Sequence, residues 1–428
     1  MLIDALNRTL LLMGTALNPT CTLETRLQAL TATRVVIRAE PAALRTASGQ
    51  SALVTAATLM ARSGHEVWID AEETTVLGPQ PPLRGSALLG GLVDLGRDLL
   101  PDCEIHRGAP QGRVDLAVLI GARTWVGDAG QIIAMNAGDG WATLASEPTP
   151  WAGDQNPLGG MAAGAMAAAE AFKSAMRRLR DHAPSPIHFD ADFAPAGPCK
   201  IVLAPDGPGY QGQLSRADLV SGGAIGNAVA FVLLRMPGLK GSLGVLDNDR
   251  SDLTNLNRNA LLRRSNAGQL KVDDLAGQAT GLVQFQPRPV RFEPGLPLAS
   301  TVLIGVDDIP SRWAAQATGP EWMAVGATAG FSVQVSEHRP GEPCAGCLHP
   351  VAATAAGPIP TVAFVSFWSG LLLVARWLQH LDGAVDPRSQ TFFTPLRPEG
   401  WAYSGLGVAA NPDCPVQCAA SASTKRRA

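Results

Sequence analysis

The second half of this 428-residue chain carries a glycine turn followed, at a fixed distance, by an acidic residue. The run Ser221-Gly222-Gly223-Ala224-Ile225-Gly226 joins a predicted strand to a predicted helix, and Asp247 ends the next strand about 21 residues after Gly226. Such a turn lets backbone amides approach phosphate at a helix N-terminus, and an acid at this spacing can bind a ribose hydroxyl. We therefore expect a nucleotide site at Gly223, Gly226 and Asp247, although nicotinamide and flavin enzymes fit this pattern equally.

The residues after Asp247 favour a triphosphate over a dinucleotide. Segments 246–258 and 268–272 supply an amide and two cations, Asn255, Arg258 and Lys271, where a dehydrogenase typically has little to hold. Cations of this kind neutralise a triphosphate while one phosphorus is attacked. The next strand ends in Asp307 and Asp308, whose hard carboxylate oxygens could hold Mg²⁺ against the phosphates.

Two cysteine pairs in the second half have the spacing of a metal site. Cys344 and Cys347 form a CxxC, and Cys414 and Cys418 form a CxxxC about 70 residues later. Four thiolates suit tetrahedral Zn²⁺. Free core cysteines and a redox pair are the alternatives, and a redox pair would need an exposed thiol of low pKa.

The elements that must position these residues occur twice along the chain. In the first half the strand 35–39 leads to Ser48-Gly49-Gln50, a helix 52–62 and the strand 66–69, which ends in Asp70. In the second half the strand 217–220 leads to the glycine turn, a helix 227–235 and the strand 242–246, which ends in Asp247. Both halves thus follow one order of strand, glycine turn, helix, strand and acid, which indicates an internal duplication.

The parallel continues toward the end of each half. Buried strands are predicted at 114–121 and 301–305, and proline-led helices at 161–176 and 362–377. Alternation of this kind predicts an α/β fold with two Rossmann-like, doubly wound parallel sheets. We expect a first domain at 1–185, a linker at 186–198 and a second domain at 199–428.

The motifs of the second half resemble those of the ThiF/MoeB/HesA superfamily of adenylating enzymes, to which the ubiquitin-activating enzymes also belong. That superfamily carries GxGxxG, a DxD and NLxR block, a GxxK motif and a TDN-like strand end followed by arginine. All four occur here in this order and with the usual spacing, between residues 216 and 420.

The resemblance implies a role for each matching residue. Gly223 and Gly226 would cradle the nucleotide, and Asp247 would bind the ribose. Further along, the phosphates would be contacted by Asn255, Arg258 and Lys271, Mg²⁺ would be held by Asp307, and Asp249 would lie near the reacting phosphate. Three charged residues match no motif position and are expected to be solvated charge only: Arg250, Asp252 and Arg263.

Departures from the family pattern lie at the glycine turn and at the cysteines. Ser221 replaces the first glycine, which we expect to tune nucleotide affinity, and the second cysteine pair is one residue longer than the family's CxxC. Relatives that form thioesters have a cysteine near 351–357, where this chain has alanines. Three further cysteines match no family position and are expected to be buried: Cys21, Cys103 and Cys199.

The first half lacks nearly every group that a nucleotide site needs. No NLxR follows Asp70, and the strand end after Gly121 has no acid. In ubiquitin-activating enzymes an inactive adenylation half pairs with an active one, and this arrangement is similar. The segment 6–14 resembles the family's N-terminal RYxRQ segment, whose arginine reaches the partner's ATP, so Arg8 is the predicted phosphate-stabilising residue supplied by the inactive half.

These resemblances imply an ATP-dependent adenylyltransferase. The C-terminal glycine carboxylate of a ubiquitin-like or sulfur-carrier protein would attack the α-phosphate and release pyrophosphate. The paired halves favour the activating enzyme of a bacterial ubiquitin-like conjugation system, with a conjugating enzyme as second partner. A peptide-modifying adenylase and a nonenzymatic nucleotide-binding scaffold remain open.

The composition limits the classes of partner and the cellular compartment that we expect for this protein. A formal charge of -3, from 37 acidic and 34 basic residues, makes nucleic acid a poor expectation. The longest apolar stretch, 361–375, has 15 residues where a bilayer needs about 20, so it predicts a buried helix and no membrane span. Seven scattered cysteines and the lack of a secretory signal favour the reducing cytoplasm.

Overall fold

The fold contains two seven-stranded sheets with the same order of strands. The computed structural model describes residues 1–205, 207, 209–353, 357–384, 389–400 and 406–419. The first sheet has the order β3-β2-β1-β4-β5-β6-β7 and the second β10-β9-β8-β11-β12-β13-β14. The strands are β1 Arg34–Ala39, β2 Glu66–Asp70, β3 Ile105–Arg107, β4 Val114–Ile120, β5 Ala129–Ala137, β6 Trp141–Ala145, β7 Cys199–Val202, β8 Ala217–Val220, β9 Gly241–Leu246, β10 Val283–Arg288, β11 Thr301–Ile304, β12 Trp322–Ala329, β13 Ser332–His338 and β14 Gln390–Phe393.

Helices cover both sheets and fill the space between them. They are α1 Leu2–Ala5, α2 Asn7–Gly14, α3 Leu23–Thr31, α4 Pro41–Leu44, α5 Ala47–Arg62, α6 Leu88–Arg97, α7 Leu158–Arg177, α8 Pro186–Phe193, α9 Ala224–Leu233, α10 Lys271–Gly277, α11 Ile309–Ala317, α12 Ala345–Leu348 and α13 Ala363–Leu381. Short 3₁₀ turns lie at Arg180–His182, Leu253–Asn255, Arg264–Asn266 and Pro398–Gly400. None of the helices in the described part of the chain combines the length and apolarity needed to cross a bilayer.

The two sheets confirm the predicted pair of doubly wound α/β layers. In each sheet the first five strands in spatial order are parallel, as the alternation of strands and helices predicts. The last two strands of each sheet are antiparallel, which the sequence did not predict. The turn after β5 spans residues 138–140 and the turn after β12 spans 330–331, and both are too short for a parallel crossover.

The corresponding helices of the two halves pack in the same way. Helix α7 packs against α5, and helix α13 against α9. Gly164 allows the first contact, because a Cβ atom there would lie 2.6 Å from the Ala52 carbonyl oxygen, and Gly370 does the same against Ala228. Residues 363–378 of α13 are all buried, so the apolar stretch 361–375 belongs to a core helix, as predicted. One hydrophobic core extends through both halves.

The first half closes the position where a phosphate loop would lie. Ser48, Gly49 and Gln50 belong to the buried first turn of α5, so the prediction that they form the glycine turn was wrong. The connection from β1 to α5 instead contains α4, and Gly49 permits close contact with the Ala43 carbonyl. A glycine required for close helix packing and a glycine required for a turn look alike in sequence.

The domain boundaries remain a prediction. Helix α8 occupies much of the expected linker, and β7 pairs with β6 in the first sheet although it follows that linker.

Candidate active site

A cavity of about 370 Å³ lies at the carboxyl ends of β8 and β11, beside the start of α9. Strand β8 lies between β9 and β11, so this is the point where the strand order reverses, the usual ligand position in such sheets. The cavity brings together seven of the predicted site residues: Arg8, Gly223, Asp249, Asn255, Arg258, Lys271 and Asp307. Gly226 and Asp247 do not line it, although both shape the turn beside it.

The glycine turn is held by its own side chains. Ser221 has a φ of +84°, a conformation that favours glycine, and its Oγ accepts a hydrogen bond from the Gly223 amide at 3.1 Å. The same hydroxyl donates to Asp247 Oδ2 at 3.4 Å. Gly226 is required because a Cβ atom there would collide with the Ser221 carbonyl oxygen. The serine thus stabilises the turn while occupying an amide that a phosphate could use.

Asp247 supports the main chain around the turn. Its Oδ2 accepts from the Gly222 amide at 2.9 Å and its Oδ1 from the Asp249 amide at 2.8 Å, and only 9% of the residue is exposed. The carboxylate therefore fixes the two segments that flank the cavity. Its contact with a ribose stays a prediction.

Charged residues on the segment after β9 form one side of the cavity. Lys271 Nζ donates to Asp249 Oδ2 at 2.6 Å, so the predicted phosphate-binding cation is held by the second acid of the DxD motif. Arg258 donates to the Thr254 carbonyl and, at 3.0 Å, to Asn257 Oδ1. Burial, followed by the charge of Arg8, lowers the pKa of Arg258 to about 10, with Asp252 opposing the shift, so it remains a cation at neutral pH.

The two carboxylates after β11 have separate functions. Asp308 caps α11, since its Oδ1 accepts from the Ser311 amide at 2.8 Å, while Asp307 lines the cavity. Arg312, which was not among the predicted site residues, also lines the cavity and donates to the Val306 carbonyl at 3.1 Å. Burial lowers its pKa, and Asp308 and then Asp307 oppose the shift. The available signal was the arginine that follows the TDN-like strand end in the superfamily pattern, since Arg312 stands five residues after Asp307.

Arg8 reaches the cavity from the other half of the chain. It lies on α2, and its Nη1 donates to the Ile359 carbonyl oxygen at 3.2 Å. Its own carbonyl accepts from the Thr361 amide at 3.2 Å, so main chain and side chain both hold it in place. Burial lowers the pKa of Arg8, and the Asp307 carboxylate opposes that shift.

The lining has an excess of positive charge. Within the described part of the chain, four cations face two carboxylates: Arg8, Arg258, Lys271 and Arg312 against Asp249 and Asp307. A cavity lined mainly by one sign of charge concentrates ligands of the opposite sign. The arrangement can therefore hold a polyanion, with one carboxylate left to hold a metal ion against it.

The three charged residues outside the motifs have structural contacts. Asp252 caps the turn Leu253–Asn255, and Arg250 donates to the Gly268 carbonyl at 2.8 Å. Arg263 is not solvated, contrary to the prediction: it is 5% exposed and pairs at 2.7 Å with Asp98 of the first half. Nothing in its sequence context marks a partner so distant along the chain.

The four paired cysteines form a cluster away from the cavity. Sγ atoms of Cys344 and Cys414 lie 3.4 Å apart and those of Cys347 and Cys418 3.5 Å apart. All four Sγ atoms are within 4.8 Å of one another, which fits the donor set of a tetrahedral metal ion. The sequence spacing predicted this group correctly.

The remaining cysteines do not have the character of nucleophiles. Cys21 and Cys103 are buried, as expected, whereas Cys199 is only half-buried. Burial raises the pKa values of Cys103 and Cys199 to about 11, so these thiols are protonated at neutral pH. The segment 354–356, within the region where relatives carry a thioester cysteine, lies outside the described residues, as does 420–428.

Comparisons with known proteins give a family match and curated relatives. Residues 34–185 match the family described as the BilD N-terminal domain. An uncharacterised protein of Sinorhizobium fredii is 26% identical over 223 residues, which are 49% of this chain and 42% of that protein. The sulfur carrier protein adenylyltransferase of Thermus thermophilus is 30% identical over 241 residues, which are 51% of this chain and 88% of that protein.

Solved structures of Escherichia coli MccB are more distant. The complex with ATP has a TM-score of 0.38 at 14% identity and covers 47% of this chain and 66% of its own. The complex with MccA has a TM-score of 0.34 at 15% identity, and the match covers 42% of this chain and 60% of the MccB chain. This level of similarity carries no inference about function. The match to the Thermus thermophilus protein and the motifs around the cavity agree: the chain belongs to the ThiF/MoeB/HesA superfamily of adenylating enzymes.

Proposed function

We propose that the protein uses ATP and Mg²⁺ to adenylate the C-terminal glycine carboxylate of a small ubiquitin-like or sulfur-carrier protein. The observation that carries this proposal is the cavity, where Arg8, Arg258, Lys271 and Arg312 surround the space beside Asp307. The Thermus thermophilus relative is named for a sulfur carrier protein, which supports a small protein with a free C-terminus as substrate.

The reaction needs positioning and charge neutralisation, without a covalent enzyme residue. A carboxylate oxygen of the partner attacks the α-phosphorus, the bond to the β-phosphate oxygen breaks, and acyl-adenylate and pyrophosphate are the products. Mg²⁺, when bound at Asp307, would offset the charge on the leaving pyrophosphate. Arg8 and Arg258 would stabilise the charge that develops during the attack, because both residues line the cavity.

Small residues in the lining of the cavity support an unbranched end of the substrate. Four lining residues have small side chains: Gly305, Ala327, Thr328 and Ser366. Gly305 admits little more, since a Cβ atom there would lie 3.1 Å from Ile225 Cβ. A terminal glycine fits such a wall better than a residue with a bulky side chain.

The cysteine cluster is proposed to hold one structural Zn²⁺. The four Sγ atoms have the number and proximity of a closed tetrahedral site, which leaves no position for a substrate. The metal would tie the segment before α13 to residues 414–418. The reducing cytoplasm expected from the sequence would keep these thiolates available.

The two halves are proposed to work as an inactive domain, residues 1–185, and an active domain, residues 199–428. Helix α4 closes the first half's loop, whereas Arg8 of that half reaches the active cavity. This division supports an activating enzyme that passes its acyl group to a conjugating enzyme. One chain then contains an inactive and an active adenylation half, the arrangement expected of ubiquitin-activating enzymes.

ATP–pyrophosphate exchange tests the proposal and distinguishes it from peptide adenylation. Purified protein would be assayed with a small glycine-ended protein, with the same protein extended by one C-terminal residue, and with its isolated C-terminal peptide. We expect exchange only with the intact free-ended protein. Equal exchange with the peptide alone would favour a peptide-modifying adenylase, and ATP binding without exchange for any carboxylate would favour a scaffold.

A further inference from the structure

A buried arginine of the inactive half supports a loop of the active half. Arg62 is the last residue of α5 and is 0% exposed. Its Nη1 donates to the Leu256 carbonyl oxygen at 2.7 Å. Its Nη2 donates to the carbonyl oxygens of Ala260 at 3.0 Å and Leu262 at 2.6 Å. One side chain thus satisfies three acceptors across the boundary between the halves.

These three carbonyls belong to the segment that carries two of the proposed phosphate ligands. We call residues 253–262 the seam loop. Its Asn255 and Arg258 line the cavity, on either side of Leu256. Burial lowers the pKa of Arg62 to about 9, with Asp274 opposing the shift most, so it remains protonated at neutral pH. Its charge therefore strengthens all three hydrogen bonds.

Two further side chains attach the seam loop to its surroundings. Thr9, next to Arg8 in the inactive half, accepts a hydrogen bond from Asn257 Nδ2 at 3.0 Å. Asn227 of α9 accepts from the Leu261 amide at 3.3 Å and donates to the Gly222 carbonyl at 2.8 Å. The loop, the glycine turn and the inactive half thus form one connected network.

The internal duplication supplies a counterpart to Arg62. Arg235 follows the end of α9 and is 5% exposed. It crosses the same boundary in the opposite direction, donating to Gln80 Oε1 at 2.9 Å and to the Pro81 carbonyl. Neither Gln80 nor Pro81 lines the active cavity. Two buried guanidinium groups therefore occupy corresponding places, and only Arg62 supports a loop that faces the cavity.

We propose that Arg62 is a positioning residue for adenylation, through which the inactive half holds Asn255 and Arg258 in place. The inference rests on the proposed function. Without the guanidinium, three buried carbonyls lose their donor, and the seam loop must move toward water to recover hydrogen bonds. Lysine cannot replace it fully, because a single ammonium lacks the planar, forked arrangement of donors.

The test compares Arg62→Met with Arg235→Met, which removes a similarly buried arginine from the same boundary. Calorimetry with the analogue AMPCPP and Mg²⁺ gives both the affinity and the number of sites per chain. We expect Arg62→Met to bind at full stoichiometry with at least about tenfold weaker affinity and Arg235→Met within about twofold of wild type. Hydrogen exchange should accelerate at 253–262 in Arg62→Met alone, and Arg62→Lys should lie between.

Three results would distinguish an incorrect role for Arg62 from a variant that does not fold and from an incorrect proposed function. Equal losses of stoichiometry in both variants, with unchanged affinity, would reduce Arg62 to a general stabiliser and overturn the inference. If Arg62→Met does not fold, Thr9→Val, which removes the neighbouring contact to Asn257, must weaken AMPCPP binding in the same direction, and an unchanged affinity would overturn it. Wild-type protein that binds no AMPCPP contradicts the proposed function, whereas the exchange rates at 253–262 still show whether Arg62 holds the loop.

Discussion

Replacing Arg8 separates folding from nucleotide binding, because this residue of the inactive half faces the active cavity. Among the described residues, its side chain has one hydrogen bond, to the Ile359 carbonyl at 3.2 Å. Its charge also lowers the pKa of Arg258, so the two cations disfavour each other in the ligand-free cavity. Arg8→Met should therefore lower the free energy of unfolding by no more than about 1 kcal/mol, the net contribution of one hydrogen bond.

The effect on ATP should be larger. A hydrogen bond from guanidinium to a charged phosphate contributes about 1.5–3 kcal/mol, so Arg8→Met should weaken ATP binding or slow exchange by roughly 10- to 150-fold. The matched control is Arg26→Met, which removes an arginine of the same half that donates to the Leu10 and Cys21 carbonyls and does not line the cavity. ATP affinity within twofold of wild type for Arg8→Met, with Arg258→Met strongly impaired, would refute the assignment.

Three further changes test other parts of the structure. Ser221→Gly should relieve the positive φ by about 1 kcal/mol but lose the hydrogen bonds of the hydroxyl to the Gly223 amide and to Asp247, so the midpoint of unfolding should change little. The freed Gly223 amide should raise ATP affinity, and an unchanged affinity would show that this amide does not contact phosphate. Cys344→Ser should reduce bound zinc, measured by elemental analysis, from about one per chain to near zero, and retention of full metal content would contradict the four-thiolate site. His65 has its pKa lowered by burial to about 4 from 6.5, so the unfolded chain binds more protons between these pH values and stability falls as pH falls. The measurement is denaturant unfolding at pH 7 and at pH 4. Between these pH values the free energy of unfolding of His65→Gln should fall by about 3 kcal/mol less than that of wild type, and equal decreases would contradict the lowered pKa.

The fold could be predicted because its signals are local and repeated. Strands, helices and strand-end acids recur in one order in both halves, and the two sheets have the same order of strands. The position of the cavity could be predicted because the spacing of the motifs places their residues at the ends of adjacent strands. Arg8, remote in sequence, lines this cavity, and its contact with ATP stays a prediction.

What the sequence did not reveal depends on contacts between distant segments. Nothing around Arg62 or Arg235 indicates that a helix-terminal arginine will donate to the other half's carbonyls. The same reason explains the buried pair of Arg263 and Asp98, which replaced an expected solvated charge. Gly49 misled because close packing against Ala43 and a phosphate-binding turn both require glycine.

The neighbouring carboxylates Asp307 and Asp308 allow the most direct test of adenylation at this cavity. Asp307 lines the cavity, while Asp308 caps α11 through the Ser311 amide, a function that asparagine also performs. The measurement is ATP–pyrophosphate exchange with a glycine-ended partner for wild type, Asp307→Asn and Asp308→Asn. We predict partner-dependent exchange that falls at least about 100-fold in Asp307→Asn and stays near wild type in Asp308→Asn. Full exchange in Asp307→Asn, or equal loss in both variants, would contradict the account.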